Sequence, residues 1–188
     1  MASNYNPSII SKEWLLKKDI FTEPISNFFH APPFSLVENE SYHLTVDEGK
    51  FQIGVKQITE KHLRSMVDIA IAFVRALPET PYRAVGLNYR YELTDGNTNL
   101  GALVVPNVEK IRELVSADFV FGATFEFSFG DFKVTLTAKP IYVRQPRYLV
   151  GFNFHSDVAD AGQLLDRLSQ QPMVIEKAEF ILRGLRND

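Results

Sequence analysis

The chain has 188 residues, of which 45% are hydrophobic and 23% are charged, and this is the composition of a folded globular protein. It contains no cysteine, which excludes disulfides, thiolate zinc sites, iron–sulfur clusters and cysteine nucleophiles. Its formal net charge of −3 gives no positive excess for binding a phosphate backbone, so nucleic acid is disfavoured as a partner.

The N-terminal segment Met1–Ile20 has no continuous apolar core of the kind that a secretory signal requires. No segment approaches the roughly 20 apolar residues that are needed to cross a bilayer. We therefore expect no membrane partner and a cytoplasmic location.

Four prolines, Pro7, Pro24, Pro32 and Pro33, interrupt the pattern of the first 35 residues. They predict an extended N-terminal arm over residues 1–35, followed by a single domain over residues 36–188. The cluster Trp14-Leu15-Leu16 is too apolar for a free tail, so we expect the arm to pack on its own domain or on a partner chain. The sequence leaves both possibilities open.

Strict alternation of apolar and polar residues predicts a hairpin from Tyr42 to Val55 that turns at Glu48-Gly49. A helix follows, capped by Thr59 and running to about Leu77. Its apolar surface is wider than a single stripe, so something must cover its second face.

The second half of the chain predicts a strand over Tyr82–Leu93, another over Leu100–Val105, and a short helix that is capped by Asn107 and runs to about Val115. Phenylalanines fill most odd positions from Phe119 to Phe129, which predicts a long half-buried strand. The loop Gly130-Asp131 predicts a hairpin with Phe129 opposite Phe132. A third strand, Arg147–His155, completes a meander, and two helices capped by Asp157 and begun by Pro172 close the chain.

These elements predict an α+β fold: a twisted antiparallel sheet of about six to seven strands, with helices packed on one face.

No strong catalytic or phosphate-binding motif is present, and the four histidines, His30, His43, His62 and His155, lack the spacing of metal ligands. We therefore predict no catalytic residues, no metal site and no cofactor.

The polar face of the sheet offers candidate ligand-binding residues instead, namely Arg90, Glu92, Glu126 and His155. An acid, a base and a cation on one face could bind a small polar ligand or exchange protons. The simpler interpretation is that a sheet with one buried face needs a hydrated outer face, and these residue types supply it.

Three functions follow from these observations. The leading hypothesis is a non-enzymatic interaction or assembly protein that forms homo-oligomers or binds another protein, since the arm and the wide helix leave surplus apolar surface. The alternatives are a small-molecule binding domain with a pocket between sheet and helices, and an enzyme that uses dispersed Glu and His residues.

Overall fold

The computed structural model describes residues 7–94, 107–115, 121–141 and 147–186. After a short 3-10 helix at Pro7–Ile9, these residues form five α-helices and eight β-strands. The helices are α1 (Lys12–Lys17), α2 (Glu60–Ala76), α3 (Val108–Val115), α4 (Ala161–Ser169) and α5 (Gln171–Leu185).

The strands form two antiparallel sheets of four strands each, which corrects the prediction of one sheet of six to seven strands. The first has the order β1-β2-β3-β4 and the second has the order β5-β8-β7-β6. Their bounds are β1 (Asn27–Ala31), β2 (Phe34–Glu38), β3 (Tyr42–Val46), β4 (Phe51–Val55), β5 (Ala84–Thr94), β6 (Ala123–Phe129), β7 (Phe132–Pro140) and β8 (Arg147–Asp157).

The strands that the sequence did not predict are β1 and β2, a hairpin at the end of the proline-rich segment. Pro32 and Pro33 lie between the two strands, where a missing N–H group costs no ladder hydrogen bond. β2 then pairs with β3, so the predicted hairpin of Tyr42 to Val55 completes a separate sheet instead of extending the second one.

Two compact units divide the chain: unit 1 comprises residues 1–85 and 157–171, and unit 2 comprises residues 86–156 and 172–188. In unit 1, Phe73 of α2 stacks on Phe51 of β4 at 4.0 Å between ring centroids. Trp14 of α1 contacts the Phe73 ring edge-on, with 6.0 Å between the ring centroids. The N-terminal segment and the first sheet therefore both pack against Phe73 of α2.

In unit 2, the hairpin of β6 and β7 turns at Gly130, whose φ of +54° is one that glycine adopts without strain. Phe129 lies opposite Phe132, which confirms the predicted register. The inner side chains of β7 and β8 are buried, including Phe132, Phe152 and Phe154. The core of this unit thus combines aromatic rings with aliphatic side chains such as Val134 and Val150.

The helix caps agree with the sequence in two cases and differ in a third. The Thr59 and Asn107 side chains accept hydrogen bonds from His62 and Lys110, as caps of α2 and α3. The cap of α4 is Asp160, which accepts from the backbone N–H of Gln163 at 2.8 Å. Asp157, the predicted cap, is the last residue of β8.

The predicted strand over Leu100–Val105 lies outside the described residues, as do residues 119–120 of the predicted phenylalanine-rich strand. Across the described residues, every helix is too short or too polar to traverse a lipid bilayer.

The burial of α1 gives a direct test of packing within unit 1. Leu15 is fully buried, whereas its neighbour Leu16 is 50% exposed. We expect Leu15→Ala to lower the free energy of unfolding by about 2–5 kcal/mol, because it leaves a cavity. Leu16→Ala, the matched control in the same helix, should change it by less than about 0.5 kcal/mol.

Urea denaturation followed through the fluorescence of Trp14, the single tryptophan, measures both variants. Equal effects of the two substitutions would contradict the packing of α1 on its own chain.

Candidate functional site

The four residues predicted to bind a ligand all lie on the outer face of the second sheet, but on three different strands. Arg90 and Glu92 are on β5, His155 is on β8 and Glu126 is on β6. β5 and β6 are the two ends of the strand order, so Glu126 lies about 14 Å from the β5 residues, which is three strand spacings. The structure does not bring the four side chains together.

Each of these residues has local neighbours of its own. Glu92 accepts a hydrogen bond from the guanidinium of Arg147 at 2.8 Å, in a pair that is half exposed on both sides. His155 lies opposite Lys133 of β7, and Glu126 lies opposite Thr135. This is the arrangement of a hydrated sheet face, and ligand binding by these four residues stays a prediction.

A different feature lies on the inner face of the same sheet, where α5 packs beside β6. A helix with its side chains is about 10–12 Å wide, whereas four strands about 4.8 Å apart span more than that. The inner residues of β7 are buried, but Phe125, Phe127 and Phe129 of β6 are only half-buried. α5 therefore leaves the outermost strand partly uncovered.

The uncovered strip forms an apolar groove with a volume of about 490 Å³, here named the β6 groove. Phe180, at its side, is 63% exposed, which is unusual for so large an apolar side chain. The groove is lined by Phe125, Phe127, Leu136, Phe180, Ile181, Arg183, Gly184 and Leu185.

Lys177 and Glu179 of α5 lie near different strands of the second sheet. On the β6 side, the Lys177 ammonium lies 5.6 Å from the Phe129 ring centroid and 5.2 Å from that of Phe180, as cation–π contacts. On the β5 side, burial together with the nearby Glu179 carboxylate raises the pKa of Tyr91. Among the described residues that line the groove, Arg183 is the one charged side chain and none is acidic.

The open edge of β6 adjoins this groove. Within the described residues, β6 has a strand neighbour only on its β7 side. A two-residue loop makes Phe129 and Phe132 a hydrogen-bonded pair, so Phe125 and Phe127 also direct their N–H and C=O groups toward β7. The N–H and C=O groups of Thr124, Glu126 and Ser128 therefore point to the open edge.

A second cavity, of about 220 Å³, lies in unit 1 and carries the acidic side chains Asp19, Glu23 and Asp68. The buried side chain of Asn39 organises one wall: its amide donates to Glu23 at 3.2 Å and its oxygen accepts from the N–H of Tyr42 at 2.7 Å. In the described parts of the chain, no group of three His, Asp or Glu side chains is placed to hold a metal ion.

Sequence reasoning placed the β6 phenylalanines on the inner face but assigned them wholly to the core. The sequence carries no local signal for the groove, because it predicts two closing helices, and it is the structure that assigns α4 to unit 1 and residues 172–188 of the last helix and C-terminus to unit 2. No family model, curated protein or solved structure matches this chain.

The titration of Tyr91 tests the placement of α5 over the sheet. We expect its pKa to lie above the ordinary value of 10.0, because burial and the Glu179 carboxylate both disfavour the phenolate. A raised pKa in the folded state means that the neutral phenol contributes stability below pH 10, which is lost as the pH rises through the folded pKa.

Glu179→Gln should lower the Tyr91 pKa but leave it above 10.0, since burial is the larger cause. Glu176→Gln, on an exposed position of the same helix, is the control and should leave it unchanged. The measurement is NMR titration with ring-labelled tyrosine, assigned with Tyr91→Phe. A Tyr91 pKa that does not respond to Glu179→Gln would contradict the placement.

Proposed function

We propose that this chain is a non-enzymatic interaction protein that associates with itself through the β6 groove and the adjoining edge of β6. The observation that carries the proposal is the partly exposed row of Phe125, Phe127 and Phe129 beside the exposed ring of Phe180. Contiguous apolar surface of this kind, with a charged rim, is typical of protein–protein interaction sites.

The energetics favour association at this place. Burial of a large apolar side chain is worth about 1.5–3 kcal/mol relative to leaving it in water, and the groove offers several such side chains. The open edge of β6 adds N–H and C=O groups that have no strand partner among the described residues and that a second strand can satisfy. Apolar burial and backbone pairing therefore act on the same surface.

The sequence alone pointed to assembly for a different reason, the surplus apolar surface of the N-terminal segment and of α2. In the structure, Leu15, Ile20 and Phe21 of that segment are buried within the chain. Support for assembly therefore rests on unit 2.

No observation on the described residues specifically favours a small-molecule binding domain or an enzyme. Arg90, Glu92, Glu126 and His155 are spread across the sheet, so they do not provide the convergent acid, base and cation that a polar ligand pocket or an active site needs.

Phe180→Glu tests the proposal, because it places a charge at the side of the groove without disturbing a buried position. We expect the unsubstituted protein to be dimeric at tens of micromolar by light scattering, and Phe180→Glu to be monomeric with an unchanged melting temperature at low concentration.

Ile58→Glu is the control, since Ile58 is also an exposed apolar residue, 75% exposed, but lies in unit 1. It should leave the dimer intact. A strict monomer over a wide concentration range, or a dimer that Phe180→Glu does not weaken, would overturn the proposal.

A further inference from the structure

Gly184 is a glycine that the contacts of its own chain do not explain. It is exposed and lies within α5, and Gly130 is the one described glycine with a positive φ, so position 184 has a helical backbone that any residue adopts. A Cβ at Gly184 would meet no atom of the described residues within 4 Å, whereas a Cβ at Gly54 would collide with the ring of His43. A glycine inside a helix also destabilises the helix relative to alanine. The position therefore indicates close approach by another molecule.

Gly184 belongs to a row of four positions along α5 whose spacing is that of a helix–helix contact. The intervals are four, three and four residues, which keeps all four positions on one side of the helix. Two of the positions carry exposed apolar side chains, since Met173 is 42% exposed and Phe180 is 63% exposed. This row, here named the α5 row, consists of Met173, Lys177, Phe180 and Gly184.

The α5 row carries a projection and a notch one helical turn apart. Residues that are four apart on a helix are neighbours, with about 5–6 Å between their Cβ positions. The ring of Phe180 projects from the helix, and Gly184, which has no side chain, leaves an opening beside it. Both residues line the β6 groove, so the opening continues into its volume of about 490 Å³. A surface with both parts is complementary to a second copy of itself.

We infer that Phe180 of each copy packs on Gly184 of the other, with the two α5 helices antiparallel about a two-fold axis midway between these positions. This inference rests on the proposed function and adds the contact that joins the copies. The antiparallel arrangement forms the contact between Phe180 and Gly184 twice, and the two-fold axis closes the assembly at two copies.

The charge on Lys177 favours the antiparallel direction. Lys177 is the one charged residue of the α5 row, and its ammonium lies 5.2 Å from the centroid of the Phe180 ring. A parallel pair of helices sets the two Lys177 ammonium groups side by side, and it also places ring against ring and glycine against glycine.

The antiparallel pair places each Lys177 beside the C-terminal end of the other helix. Lys177 precedes Phe180 by three residues, and α5 ends at Leu185, one residue after Gly184. The last carbonyl groups of a helix give its C-terminal end a partial negative charge, which a cation stabilises. Shape and charge therefore select the same arrangement.

A change of side-chain size at the two positions tests the contact. Gly184→Phe fills the notch and Phe180→Ala removes the projection, and both positions are exposed, so neither change disturbs a buried position. We expect each variant to raise the dissociation constant of the dimer at least about tenfold, with a melting temperature at low concentration close to that of the unsubstituted protein. Glu176→Phe, at an exposed position of the same helix outside the α5 row, is the matched control and should leave the dissociation constant unchanged.

The two variants should complement each other when they are mixed. A dimer of one Phe180→Ala chain and one Gly184→Phe chain pairs a ring with a small residue at both contacts, whereas each variant alone pairs either two small residues or two rings. We expect the mixed dimer to form at least about tenfold more tightly than either variant alone. Sedimentation velocity with one variant carrying a fluorescent label at its N-terminus measures the mixed dimer.

The direction of the helices is measured with a spin label. The chain has no native cysteine, so Met173→Cys carries the label at one exposed site. The antiparallel pair places the two labelled positions about 27 Å apart along the helix axis, whereas a parallel pair places them about 8–10 Å apart across it. Double electron–electron resonance distinguishes the two distances.

The inference fails if Gly184→Phe leaves the dimer as tight as before, if the mixture associates no more tightly than its components, or if the label distance is that of a parallel pair. If Phe180→Glu still weakens the dimer in any of these cases, the proposed function stands without the inference. A strict monomer by light scattering removes both.

Discussion

The width of the second sheet relative to one helix is the constraint on which the organisation of unit 2 depends. The sheet has four strands, and α5 buries its apolar side chains Val174, Ala178 and Leu182 but leaves the inner residues of β6 partly exposed. The phenylalanines of β6 consequently remain partly exposed to water. The groove and the exposure of Phe180 both follow from this mismatch.

The two faces of the sheet have different roles for the same reason. The outer face is hydrated throughout, with pairs such as Glu92 with Arg147 and Asn88 with Asn153, each held by a single hydrogen bond on an exposed surface. Such pairs contribute little to stability and create no pocket. Glu126, the one charged residue of β6, lies on this outer face.

Much of the secondary structure follows from local pattern, whereas the assembly of the sheets does not. The two-residue loop at Gly130, the cap at Thr59 and the alternation of phenylalanine along β6 are local signals, and the structure confirms each of them. The division into two sheets depends on the pairing of β2 with β3, which the alternation of residues within a strand cannot specify. The sequence also does not predict β2, because Pro32 and Pro33 interrupt the alternation that indicates a strand. The alternation along each strand predicts that Arg90 and Glu126 lie on the same face of the sheet. It does not predict the distance between them, because the order of the strands depends on long-range pairing.

Pairing of the open edge of β6 in a dimer can be measured at the backbone amides of β6 itself. Hydrogen exchange followed by NMR separates the amides of Thr124, Glu126 and Ser128, which point to the open edge, from those of Phe125 and Phe127, which bond to β7. We expect the first set to be protected only at protein concentrations that support the dimer, and the second set to be protected at all concentrations. Exchange of the first set at the same rate at low and high concentration would contradict it.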